Sequence, residues 1–451
     1  MKDLTQGSIT KNIIYMSIPI AVGMLLQTMY FLVDLYFVGA LGKVALAGVS
    51  AAGNLTFFIF GITQILNVGT VALVSQAVGR KDQHSANVFF NQSLLLSVVM
   101  GLFVIFAGVL LADWYLSAVS ADEATLQAGK TYFLWFLPNL ALQFAIVAMS
   151  SALRGTGIVK PTMVVQMIAI IINIILAPIL ISGWGTGYAM GVAGAGLASS
   201  IAALVGVILL WRYFHKLEHY VAFSFQLFKP QYDKLKQILI IGFPSGAEFM
   251  FMFAYMAVIY WAIKGFGSEA QAGFGLGSRI MQSIFLPALA IAFALPAIIG
   301  QNFGAKQAAQ VRETFKKALM MVSALMFLLT VLSVWHPIIF FKPFSDDPEV
   351  LKVAIGFLSV IAFNFIPSGI IFTCSGLFQG FGNTWPSLIT TGSRMISFAI
   401  PAVWLTTTDN FEIVHLWYLS IATVILQSLF SLYFARREMR RHLNFIEPLN
   451  S

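Results

Sequence analysis

Cysteines and charged residues are scarce in this sequence of 451 residues. Cys374 is the only cysteine, so the chain can form no internal disulfide and has no thiolate cluster for a metal. Charged residues make up 10% of the chain, whereas soluble domains carry about 25%. No GxxxxGK[ST] segment is present, and the histidines lack the spacing of metal ligands. These absences argue against a soluble enzyme, a cofactor and an ATP-driven pump.

Hydrophobic residues are abundant, at 59% of the chain, and they form runs long enough to cross a bilayer. A polar connector at residues 214–236 is the one long break between these runs. The sequence therefore predicts an all-α polytopic membrane protein with two bundles of six helices, at 1–213 and 237–435, and a basic tail at 436–451. The predicted spans lie near residues 13–38, 50–74, 88–112, 131–152, 162–182, 190–213, 237–263, 276–300, 315–341, 351–378, 385–406 and 413–435.

Lysine and arginine are concentrated in the loops on one side of the predicted membrane. That side holds both chain ends and the connector, whereas loops on the other side carry acidic residues such as Asp122, Glu123 and Asp347. Because short cytoplasmic loops are enriched in basic residues, both termini are predicted to be cytoplasmic. The net charge of +8 is then a feature of topology and lipid contact, and we expect no nucleic-acid partner.

The two halves of the sequence repeat at an offset of 225 residues. Pro19 and Pro244 stand at this offset, each early in the first helix of its half, and Asn139 matches Asn364 in the same register. Two longer segments match as well: SQAVGRK at 75–81 with GQNFGAK at 300–306, and RGTGIVKP at 154–161 with QGFGNTWP at 379–386. Six spans separate the copies, so both point the same way across the membrane. The expected architecture is a pair of bundles about a pseudo-two-fold axis along the membrane normal, with a cavity between or within them.

The first predicted span combines a proline with a carboxylate. Pro19 removes one backbone hydrogen-bond donor and is the natural position for a bend. Gln27, Tyr30 and Asp34 follow at helical spacing and form a polar seam on an otherwise apolar helix. A carboxylate inside a span is costly and usually faces a cavity or a partner. Two interpretations stay open: Asp34 takes up and releases a proton, or it is a hydrogen-bond partner between helices.

A second acidic residue, Glu248, lies in the seventh predicted span. Arg394, in the eleventh span, is its candidate ion-pair partner. Such a pair would keep Glu248 ionised, whereas an unpaired Glu248 could contact substrate or titrate. Aromatic and methionine side chains of a cavity could bind flat aromatic cations. The candidates for the substrate cavity are Gln27, Tyr30, Met252, Tyr255 and Arg394.

Together these motifs resemble the multidrug and toxic compound extrusion (MATE) family over essentially the whole chain. The resemblance rests on the two six-helix halves, the paired SQAVGRK/GQNFGAK and RGTGIVKP/QGFGNTWP segments, and the Gly191-Val-Ala-Gly194-Ala-Gly196 run that opens the sixth span. It implies a transporter that exports organic, often cationic compounds, driven by inward H⁺ or Na⁺.

The resemblance also implies which residues couple transport to an ion. Pro19, Asp34 and Asn173 match the first and fifth helices of the DinF-like branch, although Ala177 stands where that branch has a second aspartate on helix five. Glu248 is similar to the helix-seven glutamate of the NorM-like branch, but the tenth span has no acidic residue. The candidate ion-coupling residues are therefore Asp34, Asn173 and Glu248, with Pro19 as the hinge.

The sequence thus favours a non-enzymatic antiporter of the bacterial inner membrane that exports organic, cationic and aromatic molecules in exchange for H⁺. A monomer in contact with membrane lipid and small organic substrates is expected, with no metal site. Two alternatives stay open. The first is a Na⁺-coupled exporter of the same class. The second is a flippase for a lipid-linked precursor, which would need several cationic residues in its cavity, whereas Arg394 is the one clear mid-span basic residue.

Overall fold

The computed structural model describes residues 1–120, 122–216, 220–342 and 347–443. Within these ranges twelve helical segments are long and apolar enough to cross a membrane, and no strand is formed. The tenth span is made of two helices, α11 and α12, joined by a 3₁₀ turn, and the short helix α10 precedes it. The helices are α1 (Ile9–Gly39), α2 (Lys43–Gly79), α3 (Gln83–Val119), α4 (Glu123–Gly155), α5 (Lys160–Ser182), α6 (Val192–Lys216), α7 (Tyr232–Ala262), α8 (Ser268–Gly304), α9 (Ala308–Trp335), α10 (Ile338–Phe341), α11 (Pro348–Ile361), α12 (Phe365–Phe381), α13 (Trp385–Leu405) and α14 (Ile413–Leu443). The predicted all-α polytopic fold is confirmed.

Most helices extend beyond the apolar runs that predicted them. For example, α3 begins at Gln83, before the predicted start at residue 88. Its N-cap residue is Asp82, whose carboxylate accepts a 2.9 Å hydrogen bond from the backbone N–H of Ser85. Hydrogen bonds from Ser85 also hold the pKa of Asp82 below its ordinary value. A polar cap lets a helix start in a loop, so hydrophobicity alone places the helix ends too far inside the membrane.

The chain packs into two compact units, and both α1 and α7 run from one unit into the other. Unit 1 comprises Met1–Asp3 and Ile18–Gly246, whereas unit 2 comprises Leu4–Ser17 and the chain from Ala247 onward. In unit 2 the backbone N–H of Leu4 donates to the side chain of Gln301 at 2.9 Å. The residue ranges of these units are not the same as those of the two predicted bundles, 1–213 and 237–435. The division into these bundles stays a prediction. Within the predicted connector, 217–219 lie outside the described residues, and so do 444–451 of the predicted tail.

The internal repeat recurs in backbone geometry. Lys81 and Lys306 are the two non-glycine residues with positive φ in the described ranges, at 60° and 59°. They stand 225 residues apart, just after α2 and α8. A left-handed backbone conformation costs free energy for a residue with a side chain. The same strained turn at the same repeat position indicates that each unit closes its second helix in the same way.

The connector is held against α3 by three amide side chains of that helix, Asn87, Asn91 and Gln92. Gln92 donates 2.7 Å hydrogen bonds to the carbonyls of Leu227 and Lys229, and its own carbonyl accepts from the N–H of Gln231 at 2.9 Å. Asn87 and Asn91 bind the connector backbone between 220 and 224 in the same two-way manner. The part of the connector from 220 to 231 is therefore held in place as part of unit 1.

We expect Gln92→Ala to destabilise the protein by about 2 kcal/mol, because it leaves three backbone groups of the connector without their partner. Gln92 is 0% exposed, so water replaces the lost amide poorly. The measurement is the midpoint of thermal unfolding of the purified protein in detergent. Gln127→Ala is the matched control, since Gln127 is exposed and bonds only to the Glu123 side chain on its own helix. Equal midpoints for the two variants would contradict a structural role for the connector contacts.

Candidate functional site

Asp34 lies on α1 and is buried, with an exposed fraction of 7%. One of its oxygens, Oδ2, accepts a long 3.5 Å hydrogen bond from the hydroxyl of Tyr132 on α4. The other oxygen, Oδ1, is buried and has no hydrogen-bond partner among the described residues. None of the ion pairs between described residues includes Asp34. A negative charge on this carboxyl would therefore have no ion-pair partner among the described residues of unit 1.

Asn173, on α5, lies beside the same part of α1. Its amide nitrogen donates to the hydroxyls of Tyr30 and Ser199, each at 3.4 Å. Tyr30 precedes Asp34 by four residues on α1, so the two side chains lie on one face of the helix. The amide oxygen of Asn173 is buried without a hydrogen-bond partner among the described residues. Unit 1 thus brings Asp34, Tyr30 and Asn173 into one polar cluster with two unpartnered oxygen atoms.

Glycine lets α6 approach α4 closely enough to form this cluster. A Cβ on Gly196 would lie 2.7 Å from the carbonyl oxygen of Tyr132 and 2.9 Å from the backbone nitrogen of Phe136. Small residues at a helix interface allow such close backbone packing in membranes. One turn further along α6, Ser199 reaches Asn173. The GVAGAG run therefore fixes the distance between the helices that carry the partners of Asp34 and Asn173.

The other predicted residues of α1 have different surroundings. Gln27 is exposed, whereas Tyr30 is partly buried. Gly23 is buried, and a Cβ at that position would lie 2.5 Å from the side-chain oxygen of Gln166 on α5. Pro19 is buried, and α1 continues as a helix through it. The roles of Pro19 as a hinge and Gln27 as a cavity residue stay predictions.

Glu248, on α7, is partly buried in unit 2 and takes part in a chain of hydrogen bonds. The hydroxyl of Thr391 donates to Glu248 Oε1 at 3.1 Å, and the amide of Gln427 donates to that hydroxyl at 3.1 Å. The Thr391 oxygen accepts the hydrogen bond from Gln427, and the Thr391 proton is therefore donated to Glu248. The carboxyl group of Glu248 thus accepts a hydrogen bond from a neutral hydroxyl and not from a charged side chain.

Arg394 contacts an aromatic ring and not the carboxylate of Glu248. Its guanidinium carbon lies 4.5 Å from the centre of the Tyr255 ring, and the described residues form no Glu248–Arg394 ion pair. The Tyr255 hydroxyl is paired with Ser420 at 2.9 Å. Met252, one turn after Glu248, is 53% exposed. Arg394 and Tyr255 are thus brought together, and of the two alternatives for Glu248 the described residues show the one without an ion pair to Arg394.

Comparison with known proteins identifies the family of the chain. A model of the MatE family matches residues 19–179 and 244–405, which together are more than half of the chain and repeat the match once in each half. The chain belongs to the MATE family. It is therefore a multi-pass membrane transporter that exports small molecules, and it is not an enzyme.

Individual relatives of this MATE protein are distant in sequence. It is 27% identical over 304 residues, 67% of each chain, to the probable multidrug resistance protein YpnP of Bacillus subtilis. It is 25% identical over 414 residues, 89% of each chain, to a protein of Shewanella oneidensis named FAD transporter. A solved structure described as MATE in the bent conformation covers 98% of each chain with a TM-score of 0.92 and 22% identity. At that identity the likeness is one of fold.

Four residues of this MATE site were not predicted from the sequence: Tyr132, Ser199, Thr391 and Gln427. Tyr132 and Gln427 lie in apolar helices, and neither belongs to a pattern of polar residues at helical spacing that would predict a role in the site. Thr391 carries a signal in the repeat, because it is the counterpart of Gln166 at the offset of 225. Gln166 lies against Gly23, and Thr391 bonds Glu248, the counterpart of Gly23. The same pair of positions thus meets in both units.

Proposed function

We propose that this MATE protein is a secondary antiporter that exports cationic, aromatic small molecules in exchange for protons, and that Asp34 carries the proton. The observation behind the proposal is the environment of Asp34: buried, with one unpartnered oxygen and no cation beside it among the described residues. Burial disfavours an uncompensated charge, so such a carboxyl readily takes up a proton or attracts a cation.

Proton and substrate would compete for the same carboxyl group. An ionised Asp34 attracts an organic cation, and the ring of Tyr30, one turn away on α1, offers an aromatic face to it. Protonation removes the charge, and the cation then loses most of its electrostatic attraction. The neutral carboxyl also changes its hydrogen bond with Tyr132, and α1 can respond by bending at Pro19. Such a difference in affinity between two states is what coupling requires.

Na⁺ is the second candidate for the coupling ion. Asp34 Oδ1 and Asn173 Oδ1 are buried oxygens without hydrogen-bond partners among the described residues, and the Tyr30 hydroxyl lies next to Asn173. Hard cations such as Na⁺ bind oxygen atoms of this kind. Ala177 is fully buried where a further acid would add a ligand, which leaves one negative charge in the cluster. A flippase for lipid-linked precursors is less favoured, since it would need several cationic residues in its cavity and Arg394 is the one clear mid-span basic residue.

The test is ethidium transport by the purified full-length protein in liposomes, under an imposed pH gradient or an imposed Na⁺ gradient. Transport that follows the pH gradient and ignores Na⁺ would support the proposal. Transport that requires Na⁺ would support the second candidate. FAD should be tested in parallel, because one relative is named an FAD transporter. No movement of any organic cation under either gradient would contradict the function proposed.

We expect Glu248→Gln to reduce transport about tenfold, equivalent to about 1.4 kcal/mol, without abolishing it. Gln keeps an oxygen to accept from Thr391 but cannot carry a charge or exchange a proton. The measurement is the initial rate of ethidium efflux under a pH gradient. Glu269→Gln is the matched control, because Glu269 is exposed in the first turn of α8. A Glu248→Gln rate equal to wild type would remove Glu248 from the coupling residues.

The orientation of the chain is part of the proposal. We place both termini in the cytoplasm of a bacterium, with the protein in the inner membrane as a monomer. The basic loops and the basic last turn of α14, with Arg440 and Arg441, support this placement. Labelling of single introduced cysteines after Cys374→Ser by a membrane-impermeant reagent tests it, because residues near either terminus should react only in opened cells.

A further inference from the structure

A second polar cluster of unit 1 lies near the end of α4, away from Asp34. Asn67, on α2, is its centre: its side-chain oxygen accepts from Ser151 at 2.7 Å and also from the guanidinium of Arg154. The amide nitrogen of Asn67 donates to Gln64 at 2.8 Å. Ser151 and Gln64 are 1% and 5% exposed. The cluster is therefore built into the packing of α2 against α4.

Arg154 brings a positive charge to this cluster, and no acidic side chain in the described part of the chain forms an ion pair with it. None of the ion pairs between described residues includes Arg154. Its Nε is buried and has no hydrogen-bond partner among them. Within the described ranges, the hydrogen bond of the guanidinium goes to a neutral amide. A guanidinium in such a place normally has an anionic partner, because an unpaired buried charge is costly.

The internal repeat shows that this charge is not needed for packing. At the offset of 225, Gln379 replaces Arg154, and the other members Gln64, Asn67 and Ser151 are replaced by the apolar or small residues Leu289, Ala292 and Gly376. The turn that follows packs alike in both units. A Cβ on Gly155 would meet Val74 at 2.9 Å, and a Cβ on Gly380 would meet Ile299 at 2.6 Å. Unit 2 thus builds the same turn with a neutral residue.

We propose that Arg154, supported by Asn67, Gln64 and Ser151, forms a binding site for a phosphate group. The side chain of Arg154 is partly exposed, and its guanidinium offers parallel N–H donors that match two oxygens of one phosphate. Asn67 orients the guanidinium by accepting from Nη2, while Ser151 and Gln64 hold Asn67 in place. The phosphate belongs to a soluble phosphoester or to the head group of an anionic lipid.

The experiment measures thermal unfolding of the full-length protein with two probes. In detergent, inorganic phosphate is added against sodium chloride of equal ionic strength. In nanodiscs, phosphatidylcholine alone is compared with phosphatidylcholine that contains phosphatidylglycerol. A ligand that binds only the folded protein raises the unfolding midpoint. We expect at least one probe to raise the midpoint of wild type, and Arg154→Gln to need at least tenfold more ligand for the same rise.

Controls and outcomes separate the possible sources of the phosphate. Arg279→Gln removes an exposed arginine of α8 and should leave the rise unchanged. If inorganic phosphate raises the unfolding midpoint of wild type but not of Arg154→Gln, the ligand is a soluble phosphoester. If the two proteins differ only in nanodiscs that contain phosphatidylglycerol, the ligand is a lipid head group. If Arg154→Gln does not purify as a folded protein, Arg154→Lys replaces it in the experiment. Lysine keeps the positive charge but lacks the two parallel N–H donors of a guanidinium, so the ligand should raise the unfolding midpoint less than it does in wild type. The proposed phosphate site is wrong if neither probe raises the unfolding midpoint of wild type, or if the midpoint rises equally in wild type and all variants. The readout is binding, so its failure is distinct from a failure of ethidium transport.

Discussion

Asp34→Asn is expected to reduce ethidium efflux under a pH gradient to the leak rate of protein-free liposomes. Asparagine has nearly the same shape as a protonated aspartate, but it cannot release a proton or carry a negative charge. The variant can therefore neither return to the ionised state nor attract the organic cation. The long bond from Tyr132, at 3.5 Å, contributes little to folding, so the protein should purify normally. Loss of transport with retained folding is the expected combination.

Two comparisons distinguish coupling from a structural role of Asp34. Asp113→Asn is the matched control, since Asp113 forms a surface ion pair with Lys130 and should transport as wild type does. Binding of ethidium to wild type should weaken as the pH falls, because protonation removes the negative charge that attracts the cation. In Asp34→Asn this pH dependence should disappear. Efflux by Asp34→Asn that still follows the pH gradient would show that another group carries the proton.

Gly196→Ala should destabilise the protein by about 3 kcal/mol or prevent its folding. The added methyl group would meet the backbone of α4 at Tyr132 and Phe136, at 2.7 and 2.9 Å, and also the Cβ of Trp135 at 2.9 Å. Backbone atoms cannot turn aside as a flexible side chain can, so the two helices must separate. Purified yield and the midpoint of thermal unfolding measure the effect. Any folded fraction should also show weakened transport, because α4 carries the hydrogen-bond donor to Asp34.

Gly53→Ala is the matched control for this substitution. Gly53 lies on α2, and a Cβ there would have no atom within 4 Å. Alanine has a higher helix propensity than glycine, so the control should be unchanged or slightly more stable. The contrast therefore measures the close approach of α6 to α4 rather than a general effect of alanine. A yield and midpoint for Gly196→Ala that match those of Gly53→Ala would mean that these helices can separate at little cost.

Hydrophobic runs and the repeat offset predicted much of this fold because both are local or periodic properties of a sequence. A run long enough to cross a bilayer has one stable conformation there, a helix, and this made the spans predictable. The helix ends were less predictable, because a cap such as Asp82 starts a helix in a polar loop. The packing of Leu4–Ser17 in unit 2 could not be predicted from the sequence. It depends on contacts such as that of Leu4 with Gln301, nearly 300 residues away.

The candidate site was predictable where its residues share a helix face. Tyr30 and Asp34 follow helical spacing on α1, and Asn173 was named from the family resemblance; the structure brings Asn173 to Tyr30. Tyr132 was not predictable, because a tyrosine in a span carries no periodic mark and its bond to Asp34 depends on how α4 packs. The sequence left open whether Glu248 and Arg394 form an ion pair, because charge alone does not show which side chains of one unit meet. An aromatic ring at 4.5 Å takes the arginine instead.

The amides of α3 also bear on how the chain is made. Asn87, Asn91 and Gln92 leave the ribosome at least 131 residues before the connector groups that they bind. Until the connector has been synthesised, these amides lack the backbone partners that they have in the folded protein. Unit 1 is then completed only when the first turns of α7 have been synthesised. A gene split after α6 would therefore separate the amides of α3 from the connector groups that they bind, and the first fragment could not mature alone.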